Sequence, residues 1–300
     1  LGIDYDGSRT ATSASTNYSL QNYANDVVAT VRECCNSNEI EVPTLISESG
    51  RAIASHFSVL VFNVLGTGSL PSSIPEITDH EPLIIRNLRE TLSNIQTIPM
   101  GSDAECSCLQ EAWNDAVKFK DDALTAFRLG YLGLPQRALA EQLTSACARA
   151  LVQRFPHDGS IPDELKGLRS VLASTYYVNL SIFRSAPDTW AIEQLFPVIP
   201  IHRLSEQPTQ LGHFADLTCD SDGKLSNFIN NGNKKPFLEL HTLCEQQPYL
   251  IGMFLGGAYQ EVMGNLHNLF GSTNSVNIRL LSSGGYQIDH VVRGNTNSEV

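Results

Sequence analysis

The sequence is poor in basic residues and contains no long apolar run. Lysine and arginine number 20 against 32 aspartates and glutamates, which gives a formal net charge of −12. Nucleic acids and anionic membranes bind clustered Lys and Arg, so we expect neither as a partner. No apolar stretch reaches the roughly 18 residues of a membrane-spanning helix. No basic stretch is followed by an apolar run, so we expect no signal peptide.

Cysteine is also too scarce to indicate a disulfide-rich protein. The seven cysteines form an odd set in a chain whose 42% hydrophobic content suffices for a large core, so we expect reduced thiols and a cytoplasmic protein. Cys106 and Cys108 are close enough to bind one metal ion, but no second Cys/His pair follows at zinc-finger spacing. We therefore assign no metal site.

The chain has no initial methionine. It opens at Leu1-Gly2-Ile3-Asp4-Tyr5, which has the character of a strand, and this predicts that the sequence is part of a longer protein. Residues 1–75 alternate between predicted strands (3–5, 44–47 and 59–65) and predicted helices (17–35 and 51–57). This rhythm is typical of a parallel α/β unit, as in a barrel or a doubly wound sheet.

Two further regions follow a Gly-, Ser- and Pro-rich stretch at residues 66–82. Apolar residues recur at helical spacing through residues 76–172, which predicts an inserted helical bundle. Residues 173–300 are predicted to be a β domain, with strands at 175–180, 196–201, 213–219 and 249–254 and one helix at 261–269. A hairpin is expected at 276–281 and 286–291, around Ser282-Ser283-Gly284-Gly285.

Several short motifs contain groups that bind ligands or transfer protons. Glu48, Gly50 and Arg51 stand where a predicted strand turns into a helix, so backbone N–H groups there could bind a phosphate; a capped turn is the alternative. Cys219, in Thr218-Cys219-Asp220-Ser221-Asp222-Gly223, could donate a proton, and an acid beside it could pair with a cationic substrate; the alternative is an Asp-Gly turn with an incidental Cys.

Three other motifs are weaker. Paired glycines before Tyr259 allow a close approach of backbone to ligand, although Tyr259 also suits a core. His267, before Asn-Leu-Phe-Gly, suits a helix C-terminus with a structural or substrate-shell role. The Asp4-Tyr5-Asp6-Gly7 segment suits either a turn or the end of a Gly-rich loop.

In this order, the motifs resemble those of the biosynthetic arginine decarboxylases, which are pyridoxal-phosphate (PLP) enzymes of the alanine-racemase-like fold group. The resemblance covers nearly the whole chain, including the helical insertion. It rests on Leu1-Gly-Ile-Asp-Tyr-Asp-Gly, Asn17-Tyr-Ser-Leu-Gln-Asn-Tyr-Ala-Asn-Asp, Leu45-Ile-Ser-Glu-Ser-Gly-Arg-Ala, Trp113-Asn-Asp-Ala, Leu129-Gly-Tyr-Leu, Phe196-Pro-Val-Ile-Pro-Ile-His-Arg-Leu, Thr218-Cys-Asp-Ser-Asp-Gly, Gly257-Ala-Tyr-Gln-Glu and His267-Asn-Leu-Phe-Gly.

The resemblance implies a fold of class α/β plus β. Residues 1–75 would be the C-terminal part of a PLP-binding (β/α)8 barrel, 76–172 the bundle and 173–300 a β-sandwich or β-barrel domain. The activity implied is decarboxylation of L-arginine to agmatine and CO2, through an aldimine and a quinonoid, in the biosynthesis of putrescine and spermidine. PLP is the implied cofactor, and the family also suggests Mg²⁺, for which we assign no residues. A homodimer or higher oligomer with shared active sites is expected.

Individual roles are carried over from the family motif by motif. Glu48 would pair with the pyridine nitrogen of PLP, Gly50 and Arg51 would lie beside its phosphate, and Tyr259 would reach the phosphate with its hydroxyl. Gly2 looks like the end of a Gly-rich phosphate loop. Cys219 and Asp220 would enter the site from the partner subunit, with Cys219 as the proton donor. Asp222 would shape the loop or help to bind the substrate's guanidinium.

The family's Schiff-base lysine has no counterpart in this sequence. None of the six lysines has the expected Tyr-x-x-Lys-x-Asn setting: Lys118, Lys120, Lys166, Lys224, Lys234 and Lys235. We therefore expect a fragment that is inactive alone. The alternatives are a related decarboxylase acting on ornithine, diaminopimelate or carboxynorspermidine, and a non-catalytic regulatory homologue.

Overall fold

The computed structural model describes residues 1–69, 73–77, 80–99, 105–154, 165, 167–244 and 246–300. The chain divides into two compact units, one made of Leu1–Thr67 with Thr175–Val300 and the other of Gly68–Ser174. Each unit has a hydrophobic core of its own. The predicted Gly/Ser/Pro stretch at 66–82 falls partly outside the described residues.

The N-terminal part of the first unit is helical. Helix α1 (Leu20–Ser37) begins at a capping box in which the Ser19 hydroxyl accepts the Asn22 N–H at 3.1 Å and the Asn22 side chain accepts the Ser19 N–H. None of its residues is buried. Helix α2 (Gly50–Ala54) is short and continues into a 3₁₀ turn at Ser55–Phe57. The sequence predicted both helical segments.

The strands expected at 3–5 and 44–47 are not formed. Both segments have irregular backbone, and residues 39–48 are exposed throughout, with Ile46 at 93%. A strand is stabilised by hydrogen bonds to a neighbouring strand, and the described part of the chain places none beside either segment. The prediction was wrong because apolar composition identifies a strand only where a pairing partner exists.

A mixed set of short strands forms the main sheet of the first unit. Strand β1 (Val59–Gly68) is followed by β2 (Ser174–Val178), β3 (Val198–Pro200), β4 (Gln210–Ala215) and β5 (Lys224–Leu225). After the small β6 (Phe228–Asn230) and β7 (Asn233–Lys235) ribbon come β8 (Leu238–Leu240) and β9 (Tyr249–Phe254). The sheet order is β3-β9-β1-β2-β4-β5, and β8 also pairs with β4.

Strand β1 pairs antiparallel with β9, with Phe62 opposite Ile251, and therefore does not form the parallel unit that its position suggested. Only Phe62 and Val64 of β1 are buried, which is the alternation of an antiparallel strand with one covered face. Phe62 packs edge-on against Phe214 of β4, with ring centroids 5.6 Å apart. The core of this unit thus joins the two sequence regions on either side of the bundle.

The C-terminal part of this unit contains less helix than predicted in one place and more in another. Helix α9 (Gln260–Met263) replaces the helix expected at 261–269, because Gly264 lies against the backbone of Arg184 and the chain turns away there. Asn268 and Leu269 then have φ of 50° and 63°, which a right-handed helix does not allow. Short helices α7 (Ile182–Ser185) and α8 (Pro187–Ala191) were not predicted.

The second unit is the predicted helical bundle. It consists of α3 (Leu83–Thr97), α4 (Glu105–Arg128), α5 (Leu134–Arg154) and the short α6 (Leu168–Val171). Fully buried leucines from each of the three long helices form its core. Cys147 of α5 is buried among them, and burial raises the pKa of its thiol to about 12. No described helix is both long and apolar enough to cross a bilayer.

Candidate functional site

Tyr259 is held over Gly50 by an unusual backbone conformation. It stands just before α9 with φ 70° and ψ −27°, a left-handed conformation that is uncommon for a side chain of this size. Its hydroxyl lies so close to Gly50 that a Cβ at residue 50 would collide with it. Gly257, two residues earlier, packs with the same closeness on the carbonyl of Ala54 and donates its N–H to Ser55 at 3.1 Å. Both glycines are therefore required by close approach.

Arg51 completes this cluster. Its guanidinium carbon lies 4.9 Å from the centre of the Tyr259 ring, within the range of a cation–π contact. One nitrogen donates to the Tyr5 hydroxyl at 3.1 Å and another to the Asp188 carboxylate at 3.0 Å. Burial acts to lower the pKa of Arg51, but the bonds to Tyr5 and Asp188 outweigh it and raise that pKa. Arg51 stays charged while its orientation is fixed.

Asp188 and Gln260 support Arg51 from behind. Asp188 is buried and accepts from Gln260 Nε2 at 2.7 Å as well as from Arg51. Its backbone N–H donates to Gln260 Oε1 at 3.2 Å, so the two side chains hold each other. Gln260 directly follows Tyr259, and the bond therefore also fixes the turn that presents the tyrosine. We name this group, Tyr5, Arg51, Asp188, Tyr259 and Gln260, the arginine cluster.

The other expected cofactor contacts are not drawn into the arginine cluster. Glu48 is exposed and makes no hydrogen bond or ion pair with any described residue. It was expected at the end of a strand, but it lies in irregular chain two residues before α2. Gly2 donates its N–H to the Tyr18 hydroxyl at 3.1 Å, and a side chain at residue 2 would press on Thr16. Among the expected cofactor-binding residues, the structure therefore joins Gly50, Arg51 and Tyr259.

Cys219 lies at the tip of a turn that one buried carboxylate organises. Strand β4 ends at Ala215, so Cys219 is inside the turn and not at the strand end that we predicted. Asp216 is buried and accepts from the Thr218 N–H at 2.9 Å, the Thr218 hydroxyl at 2.7 Å and the Ile182 N–H at 2.8 Å. Gly223 packs directly on that carboxylate. Cys219 and Asp220 are both exposed.

The acids of the turn have separate surroundings. Asp220 Oδ1 accepts the Asp222 N–H at 3.0 Å, an Asx turn that fixes the loop. Asp222 borders a cavity of about 250 Å³ next to Lys224, Glu193 and Trp190. No hydrogen bond or ion pair connects this turn with the arginine cluster among the described residues. Asp220 and Asp222 are thus close in sequence but have different surroundings.

No hydrogen bond or ion pair links the side chain of a described lysine to the arginine cluster, whereas Lys224 lies next to Asp222 of the turn. Lys120 pairs with Asp121, Lys234 with Glu193 and Lys235 with Glu239. Lys224, Lys234 and Lys235 belong to short strands, and Lys166 lies outside the described residues. No group of three or more His, Cys, Asp or Glu within the described ranges is placed to hold a metal ion.

Sequence reasoning missed three members of the arginine cluster. Tyr5 was noted only as part of a predicted strand and a possible turn, Gln260 only as a member of a motif, and Asp188 not at all. The one local signal for Asp188 was its position after Pro187 at a helix start. Its partner Arg51 lies 137 residues earlier, a pairing that no local pattern predicts.

Comparison with known proteins gives consistent matches along the chain. Residues 78–169 match the family model described as the arginine decarboxylase helical bundle domain. The whole chain is 72% identical to a biosynthetic arginine decarboxylase of Prochlorococcus marinus (strain MIT 9313), of which it covers 46%. It is 68% identical to a protein of the same name from Parasynechococcus marenigrum (strain WH8102), again over all of the chain and 47% of that protein. The chain thus spans about half the length of these relatives.

A solved structure agrees with these matches. The crystal structure of the biosynthetic arginine decarboxylase SpeA from Campylobacter jejuni superposes with a TM-score of 0.73 at 32% identity, over 93% of this chain and 43% of that one. The resemblance drawn from the motifs is confirmed, and so is the expected fold class, which combines an α/β part, an inserted bundle and a β domain.

Proposed function

We propose that this chain belongs to the family of biosynthetic arginine decarboxylases and is part of a PLP-dependent enzyme that converts L-arginine to agmatine and CO2. In that enzyme it anchors the cofactor phosphate and supplies a proton donor. The observation that supports this most is the match over all 300 residues to proteins of that name. We place the reaction in polyamine biosynthesis in the cytoplasm. We also retain the division into residues 1–75, 76–172 and 173–300 as domains of the longer protein.

The arginine cluster is suited to a phosphate. Gly50 allows the Tyr259 hydroxyl to come close to the backbone at the start of α2, and Arg51 contributes a positive charge that does not titrate in the physiological range. Arg51 already binds Asp188 and Tyr5, so we assign it to orienting the Tyr259 ring and to the local positive field. Tyr259 is then the donor that reaches the phosphate oxygen directly.

When bound, PLP supplies an electron sink for the bond that breaks as CO2 leaves. In this proposal the Glu48 carboxylate keeps a proton on the pyridine nitrogen, which its exposure leaves it free to do. Asp220 pairs with the guanidinium of arginine in a charge-assisted contact. The Cys219 thiol then delivers a proton to the substrate's α-carbon. Cys219 and Asp220 act in the partner subunit's site of a homodimer. They are available for that role because they are exposed and are not bonded to the arginine cluster.

The lysine inventory implies that the isolated chain does not turn over arginine. No lysine of the sequence has the family's setting, and among the described residues Lys120, Lys234 and Lys235 pair with carboxylates outside the arginine cluster. The test therefore uses the full-length enzyme. Release of CO2 from arginine, ornithine, diaminopimelate and carboxynorspermidine is compared at equal concentrations. We expect arginine to be preferred; preference for another substrate, or no turnover of any, would refute the proposal.

Tyr259→Phe tests the phosphate anchor. Loss of one hydroxyl donor to a phosphate should raise the dissociation constant for PLP about tenfold, because such a bond contributes about 1.5 kcal/mol. Cofactor release is followed by absorbance during dilution. Tyr177→Phe is the matched control, since Tyr177 is exposed to a similar degree, 40% against 43%. An unchanged dissociation constant in Tyr259→Phe would remove Tyr259 from the phosphate site.

A further inference from the structure

Asp216 is a buried carboxylate that three hydrogen-bond donors surround. It is 7% exposed, and no Lys, Arg or His side chain pairs with it in the part of the chain that the structure describes. Its Oδ1 accepts the N–H and the hydroxyl of Thr218, and its Oδ2 accepts the Ile182 N–H at 2.8 Å. Burial of a carboxylate costs free energy unless such bonds replace the water that it loses. All three bonds are therefore needed to keep this group where it is.

A turn of similar length forms elsewhere in the chain without a buried carboxylate. The predicted C-terminal hairpin pairs β10 (Ser275–Leu280) antiparallel with β11 (Tyr286–Val292) and turns at residues 281–285. Two main-chain bonds of 3.0 and 3.2 Å hold that turn, and among the described residues no side chain bonds to it. The Cys219 turn has a main-chain closure too, since the Asp216 N–H donates to the Gly223 carbonyl at 2.7 Å. The Asp216 side chain therefore contributes something beyond closing the turn.

That contribution is a fixed place for Thr218 relative to α7. Ile182 is the first residue of α7 and is fully buried. The helix is itself held by the buried Arg184, whose guanidinium donates to two other segments of the same unit at 2.9 and 2.8 Å. The two oxygens of Asp216 thus tie Thr218 to a fixed helix. Cys219 follows Thr218 and has no hydrogen bond of its own to any described residue, so the position of its thiol depends on that of Thr218.

We propose that Asp216 is a positioning residue, which holds Cys219, through Thr218, at the place from which the thiol delivers its proton. The inference rests on the proposed role of Cys219 and adds the residue that orients it. In that step the S–H bond breaks, a C–H bond forms at the substrate's α-carbon, and the thiolate regains a proton from solvent. Such a transfer requires donor and acceptor within hydrogen-bond reach, and a misplacement of about 1 Å costs on the order of 100-fold in rate.

Substitutions in the full-length holoenzyme remove these bonds to different degrees. Asp216→Asn turns one acceptor oxygen into a donor, which then faces the N–H of Thr218 or of Ile182. Thr218→Val keeps the shape of the side chain and removes only the hydroxyl, whereas Thr218→Ser keeps the hydroxyl. With the thiol misplaced, part of the substrate should be protonated at the cofactor's C4′ carbon, and hydrolysis by water then releases an aldehyde and leaves pyridoxamine phosphate.

The ratio of aldehyde to agmatine is the measured quantity. We expect it to rise at least about tenfold in Asp216→Asn and about threefold in Thr218→Val, and to stay within about twofold in Thr218→Ser. Loss of folded enzyme lowers both products together, so a purely structural role does not change this ratio. Thr144→Val is the control, because it removes a buried hydroxyl that donates at 2.8 Å within the bundle. A raised ratio in Thr144→Val, or an unchanged ratio in Asp216→Asn, overturns the proposal.

Amide hydrogen exchange of the full-length enzyme gives a readout that does not depend on turnover. Peptides that contain Thr218 and Ile182 should exchange at least about tenfold faster in Asp216→Asn, while β9 should stay within about twofold of the unsubstituted enzyme. Unchanged exchange of the turn, or faster exchange throughout the unit, would contradict a specific action of Asp216 on the turn.

Cys219→Ala distinguishes failure of this proposal from failure of the proposed function. If Cys219→Ala diverts product to the aldehyde while Asp216→Asn does not, Cys219 remains the proton donor and the positioning role of Asp216 is refuted. If Cys219→Ala itself makes only agmatine at a normal rate, the proton donor is wrong and the positioning role is refuted with it.

Discussion

The two halves of the proposed site differ in how their side chains are held. The arginine cluster is bound through its side chains: Arg51 has two partners and a ring beneath it, and Asp188 and Gln260 hold each other. The Cys219 turn is held by the carboxylates of Asp216 and Asp220, which accept the Thr218 and Asp222 N–H groups, while Cys219 and Asp220 are exposed. A cofactor anchor gains from fixed side chains, whereas groups that serve a second subunit need a fixed loop and free tips.

The largest expected effect that separates the two halves is on turnover. Cys219→Ala in the full-length enzyme should lower the rate of agmatine formation by about 100-fold or more, because general-acid catalysis contributes on that order. Folding stability should not change, since the thiol is exposed and has no partner among the described residues. Agmatine release and urea unfolding are measured on the same preparation.

The product distribution distinguishes a lost proton donor from a damaged fold. Without the thiol, part of the substrate would be protonated at the cofactor's C4′ carbon instead of at its own α-carbon, and hydrolysis by water would then release an aldehyde and leave pyridoxamine phosphate. Cys244→Ala, another exposed cysteine of the same unit, is the control and should behave as the unsubstituted enzyme. Mixing the Cys219→Ala enzyme with a variant that lacks the Schiff-base lysine should restore activity through hybrid dimers. Agmatine as the sole product at a normal rate would make Cys219 a surface residue.

The next largest effect concerns stability of the arginine cluster. Asp188→Asn keeps the shape but leaves the half-buried Arg51 without its counter-charge and disturbs the bond from Gln260. We expect a loss of about 3 kcal/mol in the free energy of unfolding, as when one partner of a buried pair is removed. Asp289→Asn removes the partner of the exposed Arg279 and should cost less than about 1 kcal/mol. Similar losses in the two variants would mean that the arginine cluster is no more than a surface ion pair.

The difference between contacts within one segment and contacts between distant segments explains what the sequence could predict. The bundle and the C-terminal hairpin follow from local periodicity, and so do α1 and α2, so these were predicted correctly. The motif residues Gly50, Arg51 and Tyr259 could be singled out from the sequence because each motif is short, and their roles at the cofactor stay predictions. Asp188 was missed because its role depends on a partner 137 residues away. The prediction of strands at 3–5 and 44–47 was wrong for a related reason, since a strand depends on a neighbouring strand that periodicity does not reveal.

The smallest expected effect separates the two acids of the turn. Asp220→Asn retains the Oδ1 that accepts the Asp222 N–H at 3.0 Å, so the loop keeps its shape while losing one negative charge. If Asp220 binds the guanidinium, the KM for arginine should rise about tenfold with little change in kcat, because one charge-assisted bond contributes roughly 1.5 kcal/mol or more. Steady-state kinetics of agmatine formation measures both constants.

Asp222→Asn serves as the comparison, because Asp222 borders a cavity beside Lys224 and makes its turn bond through the backbone, which the substitution leaves in place. We expect its KM to stay within about twofold. A rise in KM with Asp222→Asn and none with Asp220→Asn would exchange the two roles and place the substrate's cation on the cavity side of the turn. A fall in kcat with both would mean instead that the two carboxylates act on the turnover step through the loop that holds Cys219, and not on the binding of arginine.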